Sequence, residues 1–295
     1  MKEPQVAPAR RWRWMLALVA VMSSLALPQE RLRILLSNDD GYQHPGLRAL
    51  VDRLAQENEV VVSAPAVNQS GVGHATTFRE PIPVESWTDG NIRWHAVSAS
   101  PATCVRLALE AFLKEPPDVV IAGVNSGENV GLVTYSSGTI ACARDAAFRG
   151  LPAISVNIER GKVMDYAGAA EFVAGLLQDL RSKGLRAGTY LNINYPALPR
   201  DMVKGVLITR QDTRPPHEHY EMIVSPQGRV SYRSIWEPLR DGPRDTDTWA
   251  LSHGYVSVTP LQIDQTHPGQ LKELRSWISL RSFPAPTKGL SGQDK

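Results

Sequence analysis

Apolar residues recur along the chain with two different periods, and this predicts alternating strands and helices. Short apolar runs at residues 32–36 and 59–64 are typical of strands, whereas the apolar positions over residues 46–56 recur at helical spacing. A strand, a helix and a second strand in this order predict a βαβ unit with parallel strands. Pro45 and Gly46 suit the loop or first turn of the helix.

The same alternation continues to about residue 195 and then becomes irregular. Residues 78–97 alternate weakly and contain two prolines and an Asp-Gly-Asn turn, which predicts an antiparallel hairpin. Further elements are predicted as strands at 118–122, 151–157, 190–195, 203–210, 222–224, 230–235 and 255–261, and as helices at 101–112, 140–148 and 166–183. The pattern therefore predicts an α/β fold with a mostly parallel sheet and an irregular β region near its end.

The N-terminal segment is typical of a secretory signal. Three arginines at residues 10–13 precede an apolar run at 15–27, within which Ser24 and Ala26 suit a cleavage point. We expect residues 1–30 to be a signal peptide or an N-terminal anchor, which places the protein in the periplasm or outside the cell. If Met22 is the true initiator, the protein is cytoplasmic. Folded residues 31–280 and a loose tail at 281–295 follow.

Composition and charge exclude two classes of protein. Of the 295 residues, 42% are hydrophobic and 21% are charged, as in ordinary globular proteins and unlike disordered ones. A formal net charge of +2 argues against a strongly basic nucleic-acid binder. Cys104 and Cys142 have neither disulfide nor zinc spacing, and we expect buried free thiols. The His-Glu-His stretch at 217–219 lacks a fourth ligand and is expected to be a solvated loop.

Two adjacent carboxylates, Asp39 and Asp40, follow the first predicted strand, and Gly41 comes after them. In an open α/β sheet the ligand lies outside the carboxyl ends of the parallel strands, so these side chains face the expected crevice. Both reach one ion only if the strand ends near Ser37 or Asn38, because neighbours within a strand point to opposite faces. The pair is a candidate metal site, although Asn, Asp and Gly are also the usual residues of a solvated turn.

A glycine-rich loop at residues 123–131 follows a wholly apolar predicted strand. Asn125 and Asn129 in this loop carry amide oxygens that are able to face the same crevice. The sequence Ser-Ser-Gly-Thr then runs into the next predicted helix, where backbone N–H groups form an anion site. Ser137 or Thr139 would serve equally well as a plain N-cap of that helix.

Six spaced motifs occur in one order along the chain. They are Ile-Leu-Leu-Ser-Asn-Asp-Asp-Gly at 34–41 with Pro-Gly at 45–46, Asn-x-Ser-Gly at 68–71, Gly-x-Asn-x-Gly-x-Asn-x-Gly at 123–131 with Ser-Gly-Thr at 137–139, Leu-Asn-Ile-Asn-Tyr-Pro at 191–196, Thr-Arg at 209–210, and Gly-Tyr-Val-Ser-Val-Thr-Pro-Leu at 254–261. Together they resemble the SurE family, the survival-protein nucleotidases, from about Arg31 to Trp277. Several spaced motifs are more specific than any single one.

The resemblance implies a Rossmann-like, three-layer α/β fold with a mostly parallel sheet and an added C-terminal β-hairpin and tail region. It implies divalent-metal-dependent hydrolysis of nucleoside 5′- or 3′-monophosphates. The partner would then be a small nucleotide and no nucleic-acid duplex, with no stable membrane partner after signal cleavage. The resemblance also implies that the hairpin and tail are used in assembly as a homodimer or homotetramer.

Carried over position by position, the resemblance assigns the metal ligands to Asp39, Asp40, Ser70 and Asn125, and the catalytic role to the two aspartates. The phosphate- or substrate-binding residues that it implies are Asn38, Gly71, Asn129, Ser137, Gly138 and Thr139. These hard oxygen ligands suit one Mg²⁺ or Mn²⁺ per subunit. We expect direct attack by a metal-bound water, and a covalent aspartyl-phosphate route is the alternative.

Three departures from the family pattern leave the implied metal ligands in place. Ala66 and Thr103 stand where the family usually has aspartate, and Asp145 stands where it often has glutamate. They bear on substrate preference and helix anchoring.

Two other classes of protein are rivals to this interpretation. A signalling receiver domain needs a phospho-accepting aspartate where Asn125 stands, and a non-catalytic nucleotide- or carbohydrate-binding module would keep the fold without turnover.

Overall fold

Residues 31–277 are described by the structure, a computed structural model, and within them the chain forms eleven strands. In chain order they are β1 (Arg33–Ser37), β2 (Glu59–Pro65), β3 (Val84–Asp89), β4 (Ile92–Val97), β5 (Val119–Ser126), β6 (Ala153–Ile158), β7 (Thr189–Tyr195), β8 (Val206–Ile208), β9 (His217–Val224), β10 (Val230–Glu237) and β11 (Val256–Gln262). The predicted signal segment 1–30 and the predicted tail 281–295 lie outside the described residues.

Nine of these strands form one mostly parallel sheet. Strands β4, β2, β1, β5, β6 and β7 lie side by side in this order, and all six are parallel. Strand β3 is antiparallel to β4 at one edge, and β11 is antiparallel to β7 at the other, where β8 follows it. Strands β9 and β10 form a separate antiparallel hairpin.

Helices cover both faces of the sheet and give three layers. The α-helices of the described chain are α1 (Pro45–Leu54), α2 (Pro101–Leu107), α3 (Gly138–Phe148), α4 (Tyr166–Lys183), α5 (Asp247–Ser252) and α6 (Pro268–Leu274). Helices α1 and α4 pack on one face, and α2 and α3 pack on the other. This arrangement confirms the expected α/β class and the added hairpin.

Burial on both faces explains why the central strands are continuous apolar runs. In α1, Leu47, Leu50 and Leu54 are fully buried and form the stripe that packs on the sheet. Gly46 brings the start of this helix close to β5, because a Cβ there would lie 2.0 Å from the carbonyl oxygen of Val124. A side chain at this position would push the helix away from the end of β5.

Strand β5 is longer than the sequence predicted. It continues to Ser126, and its register against β6 shifts between Ala122 and Asn125. Gly123 lies in this shift with a φ of 140°, a conformation that other residues rarely adopt. The first part of the glycine-rich segment therefore belongs to the sheet, which holds Asn125 more firmly than a free loop would.

The prediction of a solvated loop at 217–219 is wrong. These residues begin β9 and pair with β10, with Glu218 opposite Trp236. Their side chains are all exposed, and this explains why the polar composition suggested a loop. The hairpin also exposes apolar side chains, namely Tyr220, Met222, Val224, Val230 and Tyr232. Assembly as a homodimer or homotetramer stays a prediction.

Cys104 and Cys142 are free and buried, as predicted, and burial raises the pKa of both thiols. Within residues 31–277, every helix falls short of the length and apolar character that a membrane crossing needs.

Candidate active site

The strand order reverses between β1 and β5, and the predicted ligands lie at this reversal. Strands β2 and β4 continue the sheet beyond β1, whereas β6 and β7 continue it beyond β5. Asp39 and Asp40 follow β1, Ser70 follows β2, and Asn125 stands near the end of β5. Strand β1 ends at Ser37, so the two carboxylates lie on the turn, as one shared ion would require. Such a reversal opens a crevice at the carboxyl ends of the strands.

A cleft of about 460 Å³ opens at this edge of the sheet. Of the residues assigned from the sequence, those that line it are Asp39, Ser70, Gly71, Asn125, Asn129 and Ser137. Asp40, Asn38, Gly138 and Thr139 do not line it. The buried Asn38 side chain closes the turn, since its Nδ2 donates to the carbonyl of Gly41 at 2.8 Å.

Asp39 is a buried carboxylate with an unusual proton affinity. Its side chain accepts a short hydrogen bond at Oδ1 from the hydroxyl of Thr139, and only 3% of the residue is exposed. Burial raises the pKa of Asp39 to about 6; the hydrogen bond from Thr139 opposes this rise, and the negative charge of Asp40 adds to it. A cation bound in the cleft would favour the ionised form of Asp39 and so oppose this rise in its pKa.

Asp40 is held by the loops on either side of it. Its Oδ2 accepts from the backbone N–H of Ser126 at 3.1 Å, and its Oδ1 accepts from Nδ2 of Asn68 at 3.3 Å. These bonds join the turn after β1 to the loops after β5 and β2. Asp40 therefore ties together the three segments that carry the candidate ligands.

His44 was missed by the sequence analysis, although it lies beside Asp40. Its Nδ1 is 3.6 Å from Asp40 Oδ2, but the same nitrogen accepts the N–H of Gly46 at 3.1 Å and so carries no proton. Its Nε2 lies 2.8 Å from Oγ of Ser126, which lies 2.6 Å from the hydroxyl of Tyr166. Burial lowers the pKa of His44, with the charge of Asp40 opposing this. We therefore treat His44 as neutral.

Ser70 and Asn125 present neutral oxygens to the cleft. The Nδ2 of Asn125 donates to the carbonyl of Gly127 at 2.7 Å, which leaves its Oδ1 for a ligand. Within residues 31–277 the hydroxyl of Ser70 makes no hydrogen bond, while its backbone N–H donates to Oδ1 of Asn68 at 2.9 Å. The Gln69 N–H donates to the Asp39 carbonyl at 2.7 Å and fixes this loop beside the carboxylates.

The start of α3 packs directly against Asp39. Ser137 caps the helix, because its Oγ accepts from the N–H of Ile140 at 3.1 Å. Gly138 permits the close approach: a Cβ there would lie 2.7 Å from Asp39 Cβ and 2.9 Å from Pro101 Cγ. The Thr139 hydroxyl is committed to Asp39, so within this arrangement it orients the carboxylate. Phosphate binding by Ser137, Gly138 and Thr139 stays a prediction.

A buried asparagine network fixes the loop after β5. Asn129 donates its side-chain Nδ2 to Oδ1 of Asn157 at 2.6 Å and its backbone N–H to Oδ1 of Asn194 at 2.8 Å. Asn192 donates its Nδ2 to the Asn129 carbonyl at 2.7 Å. All four side chains are buried and paired, and such satisfied networks rigidify a structure. The backbone of Asn129 is thus tied to β7, and its side chain to β6.

Asp145, one of the departures from the family pattern, anchors the loop that carries Ser70. Its fully buried carboxylate accepts from Arg106 at 2.7 Å and from Arg149 at 2.6 Å, and it lies 3.3 Å from Nε2 of His74. Burial would raise the pKa of Asp145, but the hydrogen bonds from His74 and Arg106 outweigh burial and lower it. The shorter aspartate thus still links α2, α3 and the loop after β2.

The oxygen donors fit one hard cation. Among residues 31–277, no group of three or more His, Cys, Asp and Glu side chains is arranged to hold a metal. A cation here would therefore depend on two carboxylates, a hydroxyl and an amide oxygen, a donor set that suits Mg²⁺ or Mn²⁺. The raised pKa of Asp39 is consistent with this fit: burial is its main cause and the negative charge of Asp40 adds to it, and a bound cation would offset both effects.

Several lining residues were not singled out from the sequence. They are Ser126, Gly127, Glu128, Val133, Ser136, Arg160, Trp236, Pro238 and Arg240. Arg160 follows β6 and obeys the same strand-end rule as the predicted ligands, so the rule could have found it. No sequence signal marks Trp236 or Arg240, because the hairpin that brings them to the cleft comes from a distant part of the chain.

Fold and site together define a three-layer α/β protein with a polar cleft at the strand reversal of a mostly parallel sheet. A family model described as survival protein SurE matches residues 34–218. The chain is 40% identical over 248 residues to 5′-nucleotidase SurE of Syntrophobacter fumaroxidans, covering 83% of this chain and 99% of that protein. It is 38% identical over 261 residues to 5′-nucleotidase SurE of Coxiella burnetii, covering 87% and 98%. The chain belongs to the SurE family.

A solved structure agrees with this assignment. The crystal structure of the SurE protein from Aquifex aeolicus superposes with a TM-score of 0.74 at 34% sequence identity. The match covers 82% of this chain and 98% of that chain. The sequence-based expectation of a SurE-like fold is therefore confirmed.

Proposed function

We propose that this protein is a phosphomonoester hydrolase that acts on nucleoside 5′-monophosphates, and also on 3′-monophosphates. The observation that carries the proposal is one cleft at the strand reversal, lined by Asp39, Ser70 and Asn125, with the neighbouring Asp40 bonded to the backbone of Ser126 at the end of β5. The relatives named 5′-nucleotidase SurE support it over the binding-module alternative.

The four ligands would hold one Mg²⁺ or Mn²⁺ per subunit. When bound, the ion would offset the negative charge of the phosphate and lower the pKa of a nearby water. The chain contributes orientation: Thr139 fixes Asp39, and the backbone of Ser126 fixes Asp40. Charge-assisted hydrogen bonds of this kind hold each carboxylate in a fixed orientation.

Asp39 is the better placed of the two carboxylates to accept a proton from the attacking water. It lines the cleft, and among the described residues its carboxylate accepts a single side-chain hydrogen bond, from Thr139 at Oδ1. Both oxygens of Asp40 already accept hydrogen bonds from Asn68 and Ser126. The water oxygen then bonds to phosphorus as the ester P–O bond breaks, and the proton held by Asp39 passes to the leaving oxygen, so that the nucleoside leaves as the alcohol.

Phosphate release from purified protein tests this proposal. With Mn²⁺ present, we expect release of inorganic phosphate from AMP, 3′-AMP and p-nitrophenyl phosphate, and none from a buffer blank. Turnover of AMP alone would restrict the activity to the 5′ position. A protein that binds AMP but releases no phosphate from any of the three would instead be the non-catalytic binding module.

We also propose that the protein is exported. Three arginines at residues 10–13, the apolar run at 15–27 and the small residues Ser24 and Ala26 support this, since they have the order of a secretory signal. N-terminal sequencing of the protein from its native cell is expected to begin near Leu27. A chain that starts at Met22 in the cytosolic fraction would contradict export.

A further inference from the structure

We infer that Trp236 and Arg160 form a binding site for the nucleotide base at the mouth of the cleft, so that the enzyme selects phosphomonoesters carrying a base. The inference rests on the proposed hydrolase function and names the feature by which that same cleft recognises its substrate.

The cleft has room for a whole nucleotide. Its volume of about 460 Å³ lies within the range of sites that enclose drug-sized ligands, and a phosphoryl group alone would leave most of it empty. Asp39 and Asn125 define the polar end, where the phosphoryl group is proposed to bind. Arg160, Trp236 and Arg240 also line the cleft, and they are its arginine and aromatic side chains, the groups able to stack on the rest of the substrate.

The guanidinium group of Arg160 is held in a fixed position. Its Nε donates to the carbonyl of Ser126 at 2.9 Å, and its backbone N–H donates to Oε2 of Glu128 at 3.2 Å. Gly127 allows this approach, since a Cβ there would lie 3.2 Å from Arg160 Nε. Within residues 31–277 its two Nη atoms make no hydrogen bond, so the guanidinium plane is free to stack on a base.

Trp236 reaches the cleft from β10. It is 38% exposed, whereas Tyr232 on the same strand and Tyr220 on β9 are each 65% exposed. The indole is thus partly sheltered in the cleft, while the other aromatic side chains of the hairpin face solvent. An indole offers the largest aromatic face for stacking, and stacking accepts every base because each base has a π-face.

The segment that follows Trp236 is anchored to the body of the protein. Arg240 Nη1 lies 3.2 Å from Oε1 of Glu159, and the Arg240 carbonyl accepts from the Ser252 hydroxyl at 2.6 Å. Glu159 thus binds the segment that follows the hairpin, and the adjacent residue, Arg160, lines the cleft. This arrangement sets the indole and the guanidinium on the same opening.

The experiment compares AMP with ribose 5-phosphate, which carries the same phosphate ester without a base. For Trp236→Ala with Mn²⁺, we expect the KM for AMP to rise roughly 10-fold or more with kcat nearly unchanged, and the KM for ribose 5-phosphate to stay the same. Trp236→Phe is expected to recover most of the AMP affinity. Arg160→Lys, which keeps the charge but loses the planar face, is also expected to raise the KM for AMP.

Tyr232→Ala is the matched control, because it removes an exposed aromatic side chain from the same strand outside the cleft. It is expected to leave both KM values unchanged. Equal effects of Trp236→Ala on the two substrates, or no effect on AMP, would overturn the inference.

A binding measurement keeps the inference separate from the hydrolase proposal. Calorimetry in EDTA is expected to show tighter binding of AMP than of ribose 5-phosphate to the unmodified protein, and loss of this difference in Trp236→Ala. If neither compound is hydrolysed with Mn²⁺, the hydrolase proposal fails while this comparison still decides the base site. Equal affinities for the two compounds in the unmodified protein would refute the base site.

Discussion

Replacement of Asp39 by asparagine is expected to remove phosphomonoester hydrolysis and, without metal, to make the folded protein more stable at pH 8. Asparagine keeps an oxygen that accepts from Thr139 but carries no charge. The pKa of Asp39 in the folded protein is about 6, above the usual 3.8, so the fold favours the protonated carboxyl. The favourable contribution of the Asp39 carboxyl to the free energy of unfolding is therefore fully present below about pH 3.8, and it is lost as the pH rises through about 6.

The rise of the Asp39 pKa from 3.8 to about 6 corresponds to about 3 kcal/mol, which Asp39→Asn is expected to gain in its free energy of unfolding at pH 8. Chemical denaturation in EDTA at pH 4 and pH 8 measures this gain, which is expected to vanish towards the lower pH. The control is Asp52→Asn, which removes the same charge from an exposed position on α1. An Asp39→Asn variant that is no more stable than the original protein at pH 8 would refute the electrostatic description of the site.

Replacement of Gly138 by alanine is expected to lower kcat roughly 100-fold, because it displaces Asp39. The new Cβ would lie 2.7 Å from Asp39 Cβ and 2.9 Å from Pro101 Cγ, so one of these groups has to move. Overpacking of this kind costs about 1–3 kcal/mol in the free energy of unfolding. Steady-state kinetics on AMP and thermal unfolding measure the two effects.

Gly175→Ala is the matched control for this variant. Gly175 lies inside α4, where an added Cβ meets nothing within 4 Å, so alanine is expected to stabilise the helix by up to about 1 kcal/mol and leave turnover unchanged. If Gly138→Ala keeps full activity, α3 does not position Asp39 in the way described.

The sequence predicts the parts of the site that obey local rules. Asp39, Asp40 and Asn125 could be placed because each follows a predicted apolar run, and strand ends of a parallel sheet meet at one edge, although β5 continues through Asn125 in the structure. Ser137 could be placed because helix caps use few residue types. Ser70 depended on the family resemblance, since a serine in a turn has no distinctive pattern.

The remainder of the site depends on contacts between distant segments. His44 gave no signal because a histidine beside a proline has many structural uses, and its relation to Ser126 and Tyr166 exists only in the folded chain. Trp236 lies on β10 one residue beyond the strand predicted at 230–235, and β9 begins earlier than predicted because the polar residues at 217–219 suggested a loop. The hairpin itself is local, but its approach to the cleft joins segments that are far apart in the chain, and such contacts leave little trace in a single sequence.

Asp39 and Asp40 are proposed to hold the one divalent ion on which hydrolysis depends. The most direct measurement is the rate of phosphate release from AMP as Mn²⁺ is added to metal-free protein, for the original chain and for Asp40→Asn. We expect no release in EDTA, saturation by Mn²⁺ in the original chain, and at least roughly 10-fold more Mn²⁺ for half-saturation in the variant. Full activity in EDTA, or an Asp40→Asn variant with the same Mn²⁺ requirement and the same rate, would contradict this proposal.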